Sequence, residues 1–84
     1  MFVVYCIFNK NHNKIYIGQT SDIDERIKLH NNHEFKKGFT SRFSGEWQLV
    51  YSESFQTRQD ALKREKQLKS FRGREFVRKN FIPL

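Results

Sequence analysis

Two tyrosines stand eleven residues apart, Tyr5 in Val3-Val4-Tyr5 and Tyr16 in Tyr16-Ile17-Gly18, and they are trailed by Arg26 and His30. The last two are four apart, so on a helix they share one face. Two phenols on neighbouring strands, with a cation and an imidazole on one helical face, are groups that move protons and neutralise anions. They read as an active site rather than as a core. A carboxylate joins them farther along: Ala61, Glu65 and Leu68 fall at i, i+4 and i+7, which puts Glu65 in a stripe expected to face a sheet. A lone inward carboxylate is expensive unless it is paired or binds metal.

These residues can act together only if the elements that carry them meet. Phe2 to Phe8 and Lys14 to Gly18 are β-branched and aromatic runs separated by the turn formers Asn9-Lys10-Asn11-His12-Asn13, which predicts a β-hairpin. If paired residue numbers sum to an odd value, Phe2, Val4, Cys6, Phe8, Ile15 and Ile17 share one uniformly apolar face. Val3, Tyr5, Ile7, Asn9, Lys14, Tyr16 and Gly18 then occupy the other, so both tyrosines point the same way. An even sum would separate the phenols and mix the apolar set. The odd register also predicts that the tyrosine face looks toward Arg26 and Glu65.

Ser21-Asp22-Ile23-Asp24 predicts a helix start with Ser21 as N-cap and acidic residues in the first turn, running to about Asn32. Glu34 to Glu46 reads as a longer connection and Trp47 to Phe55 as a third strand. Thr57, with Asp60 three residues later, resembles a capping box and opens a helix through about Ser70. Gly73 separates it from a short helix over Arg74 to Phe81, ended by Pro83. The order β-β-α-β-α-α predicts an α+β fold, a small mainly antiparallel three-stranded sheet flanked by helices, as one domain over residues 1–84.

With 84 residues, two domains would each be too small to bury a core, and nine phenylalanines supply bulk for one. Cys6 is the only cysteine, so no intrachain disulfide can form, and a reducing cytoplasm is the expected location. The apolar run Met1 to Phe8 has neither the basic flank nor the cleavage site of a signal peptide, and it is too short to span a membrane. The net charge of +7 is uneven, about +1 over residues 1–56 and +6 over residues 57–84. That basic last third suits a phosphate backbone, although a solvated helix face can be as basic. Within it Lys69, Arg72, Arg74, Arg78 and Lys79 are the expected nucleic-acid contacts. Phe39, Phe43 and Trp47, interleaved with Lys36, Lys37 and Arg42, would either stack on bases or form an aromatic lid over the sheet.

In these residues the chain resembles the GIY-YIG nuclease superfamily, whose catalytic domain occurs in homing endonucleases and in the excision-repair incision subunit; the likeness here is to a small stand-alone type. Val3-Val4-Tyr5 stands in place of the first triplet, with Val3 where the family usually has glycine, and Tyr16-Ile17-Gly18 matches the second. Gly18 to Ile23, Arg26 and His30-Asn31 resemble the family's first helix, Ala61 to Lys69 its acidic helix, and Asn80 its C-terminal asparagine.

The resemblance implies a metal-dependent endonuclease that hydrolyses phosphodiesters, with DNA as the expected substrate and repair or recombination as its setting. It implies Glu65 as the sole protein ligand of Mg²⁺ or Mn²⁺, and Arg26 on the phosphate. A tyrosine serves as general base, with Tyr5 the first choice and Tyr16 orienting water or phosphate; the two roles are exchangeable. His30 supports Arg26, binds phosphate or relays the proton, and Asn80 positions the metal-bearing helix. The competing expectation is a binding module of the same fold that holds nucleic acid without cutting it. Target choice would come from the Glu34 to Glu46 loop, from the basic C-terminus, or from a partner protein.

Overall fold

The alternating side chains of the first twenty residues form the hairpin in the odd register. In the computed structural model, which describes residues 1–31 and 39–82, β1 (Phe2–Asn9) pairs antiparallel with β2 (Lys14–Thr20), with Tyr5 opposite Gly18, Ile7 opposite Tyr16 and Asn9 opposite Lys14. Four residues make the turn. Asn13 takes its positive φ of 52°, a conformation that asparagine tolerates better than most side chains.

Strand β3 (Trp47–Phe55) pairs antiparallel on the other side of β1, so the sheet order is β2-β1-β3 and β2 lies at an edge. Cys6 lies opposite Tyr51 while Ile7 lies opposite Leu49, which leaves an extra residue, Val50, on β3. This bulge reverses the parity of the strand. Trp47 consequently packs with Tyr5 and Ile7, whereas Tyr51 and Phe55 pack with Val4 and Cys6 on the opposite face.

Both faces are covered. Val4, Cys6, Phe8, Ile15 and Ile17 are buried against Ala61 and Leu68 of α2 (Arg58–Lys69), Val77 of α3 (Phe71–Phe81) and Ile82. On the other face Tyr5, Ile7 and Trp47 pack with Tyr16, Phe43, and Ile23 and Ile27 of α1 (Ile23–Asn31). A short 3-10 turn, Phe39–Arg42, precedes β3. Phe43 is half-buried on Trp47, with ring centroids 6.4 Å apart, and both belong to the core on this face. His33, Lys36, Lys37 and the first part of the predicted Glu34 to Glu46 connection, as well as Pro83, lie outside the described residues.

Two helix boundaries and one orientation differ from expectation. The first helix is capped by Asp22 rather than Ser21: the Asp22 carboxylate accepts from the Glu25 amide at 3.1 Å, and the Asp22 amide donates to Thr20 Oγ1. Thr57 caps α2 as predicted, its hydroxyl accepting from the Asp60 amide at 3.2 Å. The next break falls at Ser70, not Gly73. Ser70 Oγ donates to the Gln67 carbonyl and accepts from the Gly73 amide, so a single hydroxyl ends α2 and caps α3. Gly73 therefore sits in the first turn of α3, where a Cβ would run into the backbone of Gln67 and Leu68. The glycine serves the close helix crossing and does not break a helix. Finally, α2 covers the Val4 and Cys6 face, so the helix bearing Glu65 lies across the sheet from the tyrosines.

Candidate active site

Gly18 is where the site begins. A Cβ at that position would lie 2.7 Å from the Tyr5 hydroxyl, 2.9 Å from Tyr5 Cζ and 3.0 Å from Tyr16 Cε2, so the absent side chain is the space both phenols occupy. The ring centroids are 6.3 Å apart. Tyr5 is fully buried and Tyr16 half-buried, so Tyr16 forms the outer wall.

Helix α1 supplies the next two groups. Ile23 and Ile27 seat it on the tyrosine face, and His30, three residues beyond Ile27, follows the same stripe inward. The His30 ring centroid lies 5.0 Å from that of Tyr16 and 5.9 Å from that of Tyr5. Its Nε2 is 2.9 Å from Tyr5 Oη and its Nδ1 is 2.8 Å from Thr40 Oγ1. Asn31 pins the end of the helix: its Oδ1 accepts from the Trp47 amide at 2.7 Å and its Nδ2 donates to the Trp47 carbonyl at 3.1 Å. The imidazole is thereby fixed between a phenol and a hydroxyl.

Burial, followed by the positive charge of Arg26, lowers the His30 pKa to about 4, so the ring is neutral at physiological pH. A neutral imidazole has one N–H and one acceptor nitrogen, so protons run in one direction along the chain. Either Tyr5 donates to Nε2 while Nδ1–H donates to Thr40, or both bonds are reversed. Burial also raises the Tyr5 pKa, helped by Tyr16 and Glu65 and opposed by Arg26. Tyr5 is thus a neutral phenol whose ionisation is disfavoured. As a base it needs somewhere to send its own proton, and His30 Nε2 is at hydrogen-bond distance.

Arg26, half-buried one helical turn before His30, acts electrostatically on both Tyr5 and His30. Glu65 bears on Tyr5 as well, although its helix packs behind the sheet. It is partly buried, and its Oε2 pairs with Lys69 Nζ at 2.8 Å. Lys69 and Arg74 line a groove with Ile15, Tyr16 and Ile17, which brings the surroundings of Glu65 round the edge of β2 to Tyr16. Among the described residues no group of three or more His, Cys, Asp or Glu side chains converges on a metal position. A closed cage of protein ligands is therefore not formed by the described residues, and Glu65 is the carboxylate on offer near Tyr5.

Tyr5, Tyr16, Arg26 and His30 are therefore assembled by β1, β2 and α1, while Glu65, on α2, bears on Tyr5 electrostatically. Asn80 stands apart, exposed on α3 with its Nδ2 donating to the Phe76 carbonyl of its own helix at 2.8 Å. Of the basic residues, Lys69, Arg72, Arg74 and Lys79 are exposed. Arg78 instead ties α3 to the hairpin, its guanidinium donating to the Asn13 side chain at 2.9 Å and the Asn13 carbonyl at 3.0 Å. Thr40 was not singled out by the sequence. It sits in an aperiodic stretch, and nothing in its spacing announces a buried hydroxyl that holds an imidazole.

Known proteins resemble this chain in sequence and fold. A family model described as the GIY-YIG catalytic domain matches residues 1–79. A UPF0213 protein of Staphylococcus saprophyticus is 37% identical over 71 residues, covering 84% of this chain and 79% of that one. A UPF0213 protein of Haloquadratum walsbyi is 35% identical over 71 residues, covering 84% and 73%. The solution NMR structure of a UPF0213 protein from Bacillus halodurans superposes with a TM-score of 0.56 at 31% identity, covering 99% of this chain and 89% of that one.

Proposed function

The chain belongs to the GIY-YIG catalytic domain family, and from that premise we propose that it is a divalent-metal-dependent endonuclease that hydrolyses phosphodiester bonds in DNA. The observation that carries the reading is the buried line from Tyr5 Oη through His30 to Thr40 Oγ1, with Arg26 acting on its first two members. A buried phenol hydrogen-bonded to a neutral imidazole is an arrangement for moving a proton.

In this reading Arg26 holds the scissile phosphate, offering fixed guanidinium donors to its oxygens. Tyr16, the outer ring, orients the attacking water. Tyr5 Oη takes the water's proton as its own passes to His30 Nε2, so no phenolate has to form in a buried site. Thr40 accepts from Nδ1–H and keeps Nε2 available. A phosphate arriving at Arg26 offsets the charge that helps depress the His30 pKa, so the acceptor strengthens when substrate binds. Glu65 is the proposed ligand of a Mg²⁺ or Mn²⁺, which supplies charge withdrawal from the phosphate and the leaving oxygen when bound. The Lys69 ammonium already pairs with that carboxylate, at the side where a cation is wanted.

The same ion pair favours a second reading. Glu65 already has a partner in Lys69, so its partial burial does not by itself require metal, and a module that binds nucleic acid without cutting it would be folded equally well. Incubation of plasmid and branched DNA with Mg²⁺ or Mn²⁺ separates the two. Wild-type protein should nick in a metal-dependent way, with Glu65→Ala and Arg26→Ala inactive; binding without nicking selects the module.

A further inference from the structure

Strand β2 is one of the two edges of the sheet, and two clefts open along it. At its N-terminal end, Ile15, Tyr16 and Ile17 form a groove with Lys69 and Arg74. At its C-terminal end, Gln19, Thr20 and Ser21 form a second cleft with Phe2, Arg26 and Arg58. Each holds two cations, and neither lining contains a carboxylate among the described residues. The carboxylates Asp22, Asp24 and Glu25 line a different depression, together with Lys28 and Leu29 of α1.

Arg58 gives the second cleft its meaning. It is the first residue of α2, immediately after the Thr57 cap. A cation there opposes the helix dipole, so Arg58 is not explained by helix stability. Nor is it held by an ion pair: it is exposed and has none among the described residues, in contrast to Arg64, which pairs with Glu53, and Lys69, which pairs with Glu65. With Arg26 in the same cleft, and with the Gln19, Thr20 and Ser21 side chains as hydrogen-bonding groups, it forms a shallow site suited to a phosphodiester oxyanion.

We infer that one strand of nucleic acid lies along the β2 edge, with a non-scissile phosphate in the Arg26 and Arg58 cleft and the backbone continuing past Tyr16 into the Lys69 and Arg74 groove. The inference rests on the nuclease reading for the position of the scissile phosphate. The cleft centres, near Tyr16 and Thr20, are four residues apart, about 13 Å at the rise of a strand. A short run of nucleotides spans that distance. Arg26 lines the cleft it shares with Arg58 and also acts electrostatically on Tyr5, so on this path it lies between the scissile phosphate and its neighbour. The substrate is thereby aligned along the strand that carries Tyr16.

The test separates binding from cutting. Affinity for a fluorescent DNA oligonucleotide is measured in EDTA across a salt series, for wild type, Arg58→Ala, Arg74→Ala and, as a control, Lys63→Ala, an exposed cation of α2 outside both clefts. Arg58→Ala and Arg74→Ala should each weaken binding several-fold and reduce the slope of log K against log salt by about one, whereas Lys63→Ala leaves both unchanged. Urea midpoints check folding, and Arg58→Ala should match or slightly exceed wild type. An oligonucleotide with a single neutral methylphosphonate, moved position by position, should show one site where neutralisation weakens wild type more than it weakens Arg58→Ala. If Arg58→Ala keeps wild-type affinity and slope, the strand path is wrong whether or not the protein cuts. If the arginine effects appear but no metal produces nicking, the path stands and the nuclease reading falls.

Discussion

Acidification should remove stability through one side chain, His30. The ring is 3% exposed, and burial followed by Arg26 holds its pKa at about 4 against an ordinary 6.5. The folded protein therefore binds fewer protons than the unfolded chain between those values. Stability is fully present above about pH 6.5 and falls as pH drops toward 4. A shift of this size corresponds to about 3 kcal/mol once pH has passed below both values, of which about 2 kcal/mol is already lost at pH 5. A chain of 84 residues has roughly 4–13 kcal/mol in total, so the loss is easily seen. The assay is urea unfolding at pH 7, 6 and 5 for wild type and for His30→Gln, which cannot protonate. Carboxylates titrate in both proteins and cancel in the difference. Wild type should lose about 2 kcal/mol more than the variant between pH 7 and pH 5. Parallel losses would refute the account of His30 as a buried, neutral bridge.

Gly18→Ala should displace both phenols, because the added methyl lies 2.7–3.0 Å from their atoms. We expect a stability loss of about 1–3 kcal/mol by urea titration and a fall of about a hundredfold in cleavage rate, since a shift near 1 Å at reacting groups costs that much. Thr40→Val keeps the shape but removes the partner of His30 Nδ1, leaving a buried polar nitrogen unsatisfied; thermal or urea unfolding should register about 1–3 kcal/mol of destabilisation. Gly73→Ala pushes a methyl into the backbone of Gln67 and Leu68, so its unfolding midpoint should drop by at least as much as that of Gly18→Ala, which meets only side chains.

Much of this architecture could be read from the sequence wherever periodicity was regular. The register of β1 and β2 followed from a single requirement, that Val4, Cys6, Phe8, Ile15 and Ile17 share a face, and the pairing of Tyr5 with Gly18 came with it. The reversal inside β3 did not, because a bulge at Val50 is a response to the neighbouring strand and leaves no mark in the alternation. Gly73 misled for a related reason. A glycine before a helical pattern usually signals a break, but here it permits two backbones to approach, and the break belongs to the hydroxyl of Ser70. Arg26 and His30 were legible as one helical face. Thr40 was not, since its role depends on a contact with His30 that no local pattern encodes. The side of the sheet taken by α2 was misjudged with Glu65: an inward stripe identifies what is buried, not which face of a two-sided sheet it meets.

The most direct measurement is single-turnover cleavage of a labelled DNA duplex, with Mg²⁺ or Mn²⁺ in excess, by wild type and Tyr5→Phe. The substitution removes only the hydroxyl bonded to His30 Nε2 and leaves the buried ring in place. If Tyr5 is the base and His30 its proton acceptor, Tyr5→Phe folds, binds DNA as wild type does, and cuts at least a hundredfold more slowly. A folded Tyr5→Phe that cuts at the wild-type rate would contradict the account.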